Sequence, residues 1–213
     1  HLPQIPYTKY QILFLSVLLL PLFLFPHAAR ADITTNLIGH WTFDEPSGTT
    51  VSDSSGLGRD GVITGTNYNR VRGHIGKALE LTGDTFVDVG RFVPLESVGE
   101  WTFAIWGYSY DFSYVPAWEG IGYMEFGTTS DIAFMLGYGH DGGPGFLGLR
   151  FEAQNASAQY EQAIFAQEEQ INTLYHLVGV SDGSTIKLYV DGVLVDTQTF
   201  SARDGNSTMH LVM

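Results

Sequence analysis

The sequence contains no cysteine and few basic residues. Of its 213 residues, 10 are Lys or Arg and 23 are Asp or Glu, which gives a formal net charge of −13 at pH 7. Without cysteine the chain has no disulfide, no thiol nucleophile and no cysteine-ligated metal. The fold must therefore be held by a hydrophobic core, either alone or together with a metal bound by other residues. The shortage of positive charge argues against nucleic acid as a partner, because the phosphate backbone is bound mostly by Lys and Arg.

Long apolar runs are absent except at the N-terminus. There, the run at residues 12–25 follows a basic residue and precedes the motif Ala29-Arg30-Ala31, an order typical of a secretory signal. A membrane-spanning helix, the alternative, needs about 20 apolar residues, whereas this run is shorter and contains Pro21. We therefore expect residues 1–31 to be a cleaved signal peptide. Residues 32–213 would then be one secreted domain, extracellular or at the cell surface, without a membrane segment.

The rest of the sequence has the pattern of an all-β protein. Its 25 glycines separate short runs in which apolar and polar residues alternate, as in sandwiches and barrels. Residues 159–170 have the composition of a helix, but a strand carrying Ile164 and Phe165 fits the surrounding rhythm better. The other predicted strands are residues 37–43, Lys77–Leu81, 85–89, 101–110, 132–136, 146–151, 173–180, Thr185–Val190 and Val193–Thr199.

Three of these predictions are specific enough to test in detail. The strand at residues 101–110 places Trp101, Phe103 and Ile105 on one face and Thr102, Ala104 and Trp106 on the other. Because both faces are partly apolar, we expect a central strand. The turn Thr82-Gly83-Asp84 is expected to pair the two strands beside it. Asp191-Gly192 predicts a two-residue hairpin with a type I′ turn, with Ile186, Leu188 and Val190 facing the core.

Several motifs, taken in order, resemble one known family. They are residues 37–45 (LIGHWTFDE), 47–56 (SGTTVSDSSG), 76–81 (GKALEL), 101–106 (WTFAIW), 174–180 (LYHLVGV) and 182–192 (DGSTIKLYVDG). Together they resemble the laminin-G-like, concanavalin A-type jelly-roll domains of secreted bacterial proteins. The resemblance implies an all-β sandwich of two antiparallel sheets, commonly a non-catalytic part of a secreted or surface protein and often of a carbohydrate-active enzyme.

The C-terminus departs from the family pattern. Family members continue through a glycine-containing turn into a final strand, whereas this chain stops at Met213 within a strand-like segment. We therefore expect the jelly roll to lack its final strand, which would leave one sheet edge unpaired.

The loop at residues 53–60 is the candidate metal site. Calcium takes six to eight oxygen ligands, and glycines allow backbone carbonyls to turn toward an ion. The resemblance implies that an Asp-x-Ser-Gly loop of this kind often holds a structural Ca²⁺, for which Asp53, Asp60 and the carbonyl of Gly56 are the candidate ligands here, with Asp44 as a further carboxylate. The alternative is an ordinary Asx turn without metal.

The candidate ligand site is the aromatic stretch at residues 108–118. Tyr110, Tyr114 and Trp118 offer flat rings that stack on the apolar faces of sugars, and Asp111 offers hydrogen bonds to hydroxyl groups. The alternative is that these aromatic residues pack a long connection onto the sandwich.

Catalytic patterns are weak throughout the sequence. Glycoside hydrolysis needs two carboxyl groups about 5–9 Å apart, and nothing fixes such a spacing between Glu119 and Glu125, which have two glycines between them. Five scattered histidines, His40, His74, His140, His176 and His210, show no metal-ligand spacing. We therefore expect that this protein is not an enzyme. A glycan-binding module attached to further domains is the first hypothesis, a structural or adhesive surface domain the second, and a concanavalin-like glycosidase the third.

Overall fold

The chain divides into two units, His1–Thr35 and Asn36–Met213, and the computed structural model describes the second in most of its length. The described residues are 35–83, 85–91, 99–108, 118–126, 131–140, 147–155, 157, 159–165, 172–201 and 209–213. The predicted signal peptide lies outside them. Across these described ranges, no helix has the length and apolar character needed to cross a membrane.

The regular structure of the described residues consists of β-strands. They are β1 (Thr50–Val51), β2 (Gly61–Thr64), β3 (Tyr68–Arg72), β4 (Lys77–Leu81), β5 (Phe86–Arg91), β6 (Glu100–Tyr108), β7 (Trp118–Phe126), β8 (Asp131–His140), β9 (Leu147–Gln154), β10 (Tyr160–Phe165), β11 (Leu174–Asp182), β12 (Thr185–Val190), β13 (Val193–Thr199) and β14 (Met209–Val212).

These strands form two large antiparallel sheets and a separate hairpin. The larger sheet has the order β1-β2-β5-β14-β7-β8-β9-β10, the smaller has the order β13-β12-β11-β6, and β3 pairs with β4. All pairs are antiparallel. The predicted all-β jelly-roll sandwich is confirmed.

The main core lies between the two large sheets. Successive residues of a strand face opposite sides, so every second residue of β9, β11 and β12 points inward. Phe151 of β9 is fully buried, and its ring meets that of Trp101 edge-on with 5.3 Å between centroids. The Trp101 ring also lies 4.4 Å from that of Phe134. The other buried members of this cluster are Leu136, Leu149, Ala153, Ala163, Tyr175, Leu177, Ile186, Leu188, Val190, Phe200 and Leu211.

The late hairpin forms as predicted. Asp191 and Gly192 have φ angles of 50° and 80°, the positive values that a type I′ turn requires at both positions. The three residues of β12 expected in the core, Ile186, Leu188 and Val190, are buried. The strand predicted within residues 159–170 is also confirmed as β10.

Three predictions about strands are wrong. Residues 37–43 form no strand, and only Trp41 bridges to Asp53. β4 pairs with β3 rather than β5, because β5 is bound by β2 and β14 instead. Among the described strands, β6 lies at the edge of its sheet rather than at its centre. Its outward face looked apolar because of Trp106, and this residue is 42% exposed instead of covered by another layer.

The C-terminal strand lies inside the larger sheet. We expected an unpaired edge at this segment, but Met209–Val212 forms β14, which pairs with β5 on one side and β7 on the other. The absence of a final strand from this chain stays a prediction. Beyond it, Met213 and Val87 exchange two backbone hydrogen bonds of 2.6 and 2.9 Å. Because β14 has a neighbour on each side, no edge is unpaired at this place in the sheet.

Candidate functional site

The outward face of the smaller sheet carries exposed aromatic residues at one end. Inward residues of β6 pack on the core, so the alternate residues Trp106 and Tyr108 point outward. In the register of β6 with β11, Trp106 lies opposite His176, and Tyr108 lies opposite Leu174. We call these four residues, together with His74 from the loop between β3 and β4, the aromatic end.

Two imidazole rings hold the indole ring of Trp106. The His74 ring is stacked on it, with 3.9 Å between centroids and 25° between planes. The His176 ring lies 4.7 Å away at 34°. Trp106 nevertheless remains 42% exposed. The two imidazole rings therefore restrict the orientation of the indole ring, while part of the Trp106 residue stays exposed.

Tyr108 is the second exposed ring of the aromatic end. It is also 42% exposed, and its hydroxyl donates a hydrogen bond to Oδ1 of Asn172 at 3.2 Å. Asn172 has a φ of 60°, a left-handed conformation that asparagine tolerates better than most residues. This turn immediately before β11 brings the amide to the phenol, and it adds a polar group to the rim of the aromatic end.

The charged groups of this sheet face lie mainly at its other end. There Lys187 donates to Asp182 at 2.6 Å, and this bond with those from Thr185 and Ser184 holds the pKa of the Asp182 carboxyl well below its usual range. The same bond raises the pKa of Lys187. Near the aromatic end, the Asp191 carboxylate accepts a hydrogen bond from the backbone N–H of His176 at 2.9 Å.

Most of the residues predicted from the sequence to contact a ligand lie outside the described residues. Tyr110, Asp111 and Tyr114 lie outside the described residues. Trp118 begins β7, where its backbone lies opposite Gly139, but its side chain is not among those described. Their role as ligand contacts stays a prediction, while Tyr108, the first residue of the same stretch, belongs to the aromatic end.

The sequence analysis did not predict that the rings of His74 and His176 contact the ring of Trp106. The alternation of β6 already placed Trp106 on the face away from Trp101. The histidines are about a hundred positions apart in the sequence, however, and no local pattern shows that both rings meet one indole ring. The contact depends on where the β3–β4 hairpin lies against β6.

A buried polar group on the larger sheet is a less suitable ligand site. On β9, Arg150 and Glu152 alternate with core residues and therefore face the other side of the sheet. Nε of Arg150 is 3.9 Å from Oε2 of Glu152, which also accepts a hydrogen bond from Gln162 at 2.9 Å. Both charged side chains are at most 2% exposed, so they present almost no surface to a ligand.

The two carboxylates that the sequence analysis considered and rejected as a catalytic pair lie on one strand. Glu119 and Glu125 are both in β7, and two register shifts against β8 fall between Gly120 and Gly122 and between Met124 and Glu125. These irregularities interrupt the simple alternation that would otherwise place the two residues on one face. Their side chains are not among those described.

The candidate metal loop is organised by the carboxylate of Asp53. Its Oδ1 accepts hydrogen bonds from the N–H groups of His40 and Ser55 at 3.0 and 2.9 Å, and its Oδ2 accepts one from Arg59 at 3.0 Å. The N–H of Asp53 itself donates to Oδ1 of Asp60 at 2.8 Å. The loop thus closes on itself through backbone amides, and Asp53 is buried at its centre.

The oxygen atoms of this loop fit the requirements of a calcium site only in part. Asp53 and Asp60 are close, but the amide hydrogen bonds already engage both oxygens of Asp53. Within the described part of the chain, no three His, Asp or Glu side chains come together as a metal site. Calcium at Asp53, Gly56 and Asp60 therefore stays a prediction, and the observed hydrogen bonds give Asp53 a structural role that requires no ion.

We expect Asp53→Ala to destabilise the fold by about 2–3 kcal/mol, because three amides lose a charged acceptor. Burial alone would raise the pKa of Asp53, but the hydrogen bonds from Ser55, His40 and Arg59 outweigh it and lower the pKa from 3.8 to about 2. Because the pKa of Asp53 is lower in the folded than in the unfolded state, its carboxylate stabilises the fold fully only at a pH above the pKa of the unfolded state. The deficit of the variant in urea unfolding should therefore shrink as the pH falls from 4 toward 2. A deficit independent of pH, or one equal to that of the exposed-site control Glu100→Ala, would contradict this role.

The architecture of two antiparallel sheets around a common core defines a jelly-roll β-sandwich. The family model of the concanavalin A-like lectin/glucanases superfamily matches residues 81–212, more than half of the chain. The chain belongs to this family, which confirms the resemblance found in the sequence motifs. The comparison with curated proteins finds no match.

Solved structures with a similar chain trace include sugar-binding proteins. The chain is similar to domain 4 of AbnA, an extracellular GH43 arabinanase from Geobacillus stearothermophilus, in complex with arabinotriose; the TM-score is 0.59 at 20% identity, and 82% of each chain is covered. It is also similar to the binding domain of botulinum neurotoxin DC in complex with SialylT, with a TM-score of 0.47 at 13% identity over 77% of this chain and 40% of that chain. For the carbohydrate-binding module CBM66 from Bacillus subtilis the TM-score is 0.36 at 18% identity over 71% and 86%. The first comparison shows a common fold.

Proposed function

We propose that this protein is a secreted, non-catalytic module that binds carbohydrate through its aromatic end. The observation that carries the proposal is the pair of exposed rings, Trp106 and Tyr108, on one face of β6. Flat aromatic rings bury much apolar surface at low entropic cost and keep a polar group at the edge. Sugar rings have apolar faces and polar edges, so they match such a surface.

The family and the polar groups around the rings support this ligand class. Concanavalin A-like domains include lectins, as the description of the matching family states. The arabinanase domain with a similar fold is in complex with arabinotriose, so uncharged oligosaccharides are the first ligands to test. Around the rings, Asn172 and the imidazoles of His74 and His176 offer hydrogen-bonding groups to sugar hydroxyls.

The test compares three proteins on a glycan array and by calorimetry. We expect the wild type to bind at least one glycan and Trp106→Ala to weaken that binding by about 10–100-fold, the loss typical of a central aromatic contact. Thr102→Ala is the matched control, because Thr102 is exposed on the same face of β6 at its other end. The absence of any glycan ligand for the folded wild type would favour a structural or adhesive domain. Undiminished binding by Trp106→Ala would place the site elsewhere.

The calcium prediction for Asp53, Gly56 and Asp60 is tested separately by thermal unfolding. An ion that binds only the folded state raises the unfolding midpoint as its concentration increases, and Asp53→Asn should remove that rise. A wild-type midpoint that is the same in calcium and in EDTA contradicts the prediction. Asp53 would then keep only the organising role described by its hydrogen bonds.

A further inference from the structure

The edges of the two large sheets are protected to different degrees. Among the described strands, these edges are β1, β10, β13 and β6. β1 has only two residues. β13 is tied to β10, because the Asp196 carboxylate of β13 accepts a hydrogen bond from the N–H of Ile164 in β10 at 2.9 Å, and a register shift interrupts the pairing of β13 with β12. Short strands, bulges and covered edges are the usual means by which proteins keep sheet edges from pairing with other chains.

Of the edges that the structure describes, β6 is the one without such protection. It has nine residues, and its register with β11 runs without a shift from Glu100 to Tyr108. Its sequence, EWTFAIWGY, contains no proline and no lysine, and its single charged residue is Glu100 at one end. A long, regular edge strand with little charge is a template for pairing with another strand.

The inward side chains of β6 are incompletely covered. Trp101, Phe103 and Ile105 pack on the main core but are only partly buried. By contrast, Leu177 of β11, which lies opposite Ile105, is completely buried. A further strand beside β6 would place its own inward residues against these three side chains. Each Å² of apolar surface removed from water in this way contributes about 25 cal/mol.

The sequence of β6 is complementary to itself in an antiparallel arrangement. A register centred on Ala104, the middle residue of the strand, overlaps all of β6 with a second copy and has two-fold symmetry. It places Phe103 opposite Ile105 of the second copy on the inward face, and Thr102 opposite Trp106 of the second copy on the outward face. Both pairs combine an aromatic with a β-branched residue, a combination that stabilises neighbouring strands.

Charge is compatible with the same register. Each chain has a formal net charge of −13, so two copies repel each other wherever their carboxylates meet. In the register centred on Ala104, the two Glu100 residues lie at opposite ends of the paired strands, about 26 Å apart at the rise of an extended strand. This separation exceeds the Debye length of about 8 Å at physiological ionic strength. Pairing through β6 therefore brings no carboxylates of the two strands together.

We propose that two copies of this protein pair through their β6 strands as an antiparallel, two-fold symmetric dimer, in which the two smaller sheets join into one continuous sheet. A strand of nine residues is about 30 Å long and a layer of a sandwich is about 10 Å thick, so the pairing covers about 300 Å² per copy. A standard stable interface covers about 800 Å² per partner. The dimer is therefore weak, with a Kd of about 10–100 µM.

Sedimentation velocity of the wild-type protein from about 5 to about 500 µM spans this Kd. We expect a monomer at the lowest concentration and a discrete dimer at the highest. Ala104→Lys places two like charges beside each other at the two-fold axis and should weaken the dimer about tenfold. Thr197→Lys is the matched control, because it makes the same change of charge at an exposed residue of β13 and should leave the Kd unchanged.

Cysteine cross-linking tests the register, since the chain has no cysteine of its own. The two Ala104 Cβ atoms would lie about 4.5–5.5 Å apart across the axis, which a small adjustment brings within the range of a disulfide. The two Thr102 residues would lie about 13 Å apart along the strands. Ala104→Cys should therefore oxidise to a covalent dimer much faster than Thr102→Cys, the control on the same face of β6.

Each contrary outcome has a definite meaning. A wild-type protein that stays monomeric at the highest concentration overturns the inference, and so does association into larger species without a discrete dimer. A dimer that is as strong in Ala104→Lys as in Thr197→Lys, or equal cross-linking of Thr102→Cys and Ala104→Cys, also overturns it, because the contact would then lie elsewhere or in another register. These measurements involve no glycan, so their result is independent of the proposed carbohydrate binding.

Discussion

Replacing Arg70 with methionine should destabilise the protein by about 3–5 kcal/mol, the usual effect of breaking a buried ion pair by removing one partner. The Arg70 side chain is only 7% exposed, and its Nη1 lies 2.8 Å from Oε2 of Glu45. The guanidinium also donates to the carbonyl oxygens of Phe43, Gly48 and Thr50 at 3.2–3.3 Å. Methionine occupies a similar volume but leaves all these acceptors without their donor.

The effect concerns the segment that leads into β1. Glu45 binds Arg70 through Oε2, and through Oε1 it accepts a hydrogen bond from the N–H of Ser52 at 2.7 Å. This pair therefore ties a stretch without strand structure of its own to the β3–β4 hairpin. Loss of the pair should release the hairpin, whose loop carries His74, so we expect weaker glycan binding in addition to lower stability.

Arg72→Met is the control, because Arg72 is on the same strand and exposed. The free energies of unfolding of both variants are measured in urea, and the Arg72 variant should stay within about 0.5 kcal/mol of the wild type. The double variant Arg70→Met with Glu45→Gln should lose less than Arg70→Met alone, since the uncompensated carboxylate is removed. Equal effects at Arg70 and Arg72 would show that the buried pair contributes little.

Replacing Phe151 with alanine should also destabilise the protein by about 3–5 kcal/mol, because the change leaves a cavity in the main core. Phe151 is completely buried and contacts the Trp101 ring across the two sheets. On β11, Gly179 faces the ring of Phe151, and a Cβ atom at Gly179 would lie 2.6 Å from Cδ2 of that ring. The two residues fit each other in size.

This fit predicts a coupling that double variants can measure. Gly179→Ala alone should destabilise the protein by about 1–3 kcal/mol, since the new methyl group overlaps the ring. In the Phe151→Ala background the same methyl group fills part of the cavity, so Gly179→Ala should cost much less there or stabilise the protein. Additive effects in calorimetric or urea unfolding would contradict the contact between this glycine and this ring.

Features that depend on neighbouring residues were predictable from the sequence. The Asp191-Gly192 turn, the inward side of β12 and the two faces of β6 follow from local turn chemistry and from the two-residue period of a strand. The order of several short motifs also identified the family. These signals require no knowledge of which strands pair.

Other features of the site could not be predicted in this way. The alternation in β6 showed that Trp106 faces away from Trp101 but not whether another layer covers it, and the apolar residues on both faces suggested a central strand. The sheet order places β6 at an edge among the described strands, and the 42% exposure of Trp106 shows that the described residues do not cover it completely. The candidate ligand residues were sought in residues 108–118, of which Tyr108, the last residue of β6, belongs to the aromatic end. The role of the others stays a prediction.

The sequence by itself determined that this protein is an all-β sandwich held by its core, with a net negative charge and a tight hairpin near its C-terminal end. Tertiary structure alone decided the rest: that β4 pairs with β3, that β14 lies between β5 and β7, and that His74 and His176 meet the ring of Trp106. The physical reason is the distance along the chain over which each feature is determined. Turn type and strand alternation are set by adjacent residues, whereas strand partners and the surroundings of a side chain are set by the packing of segments far apart in the chain.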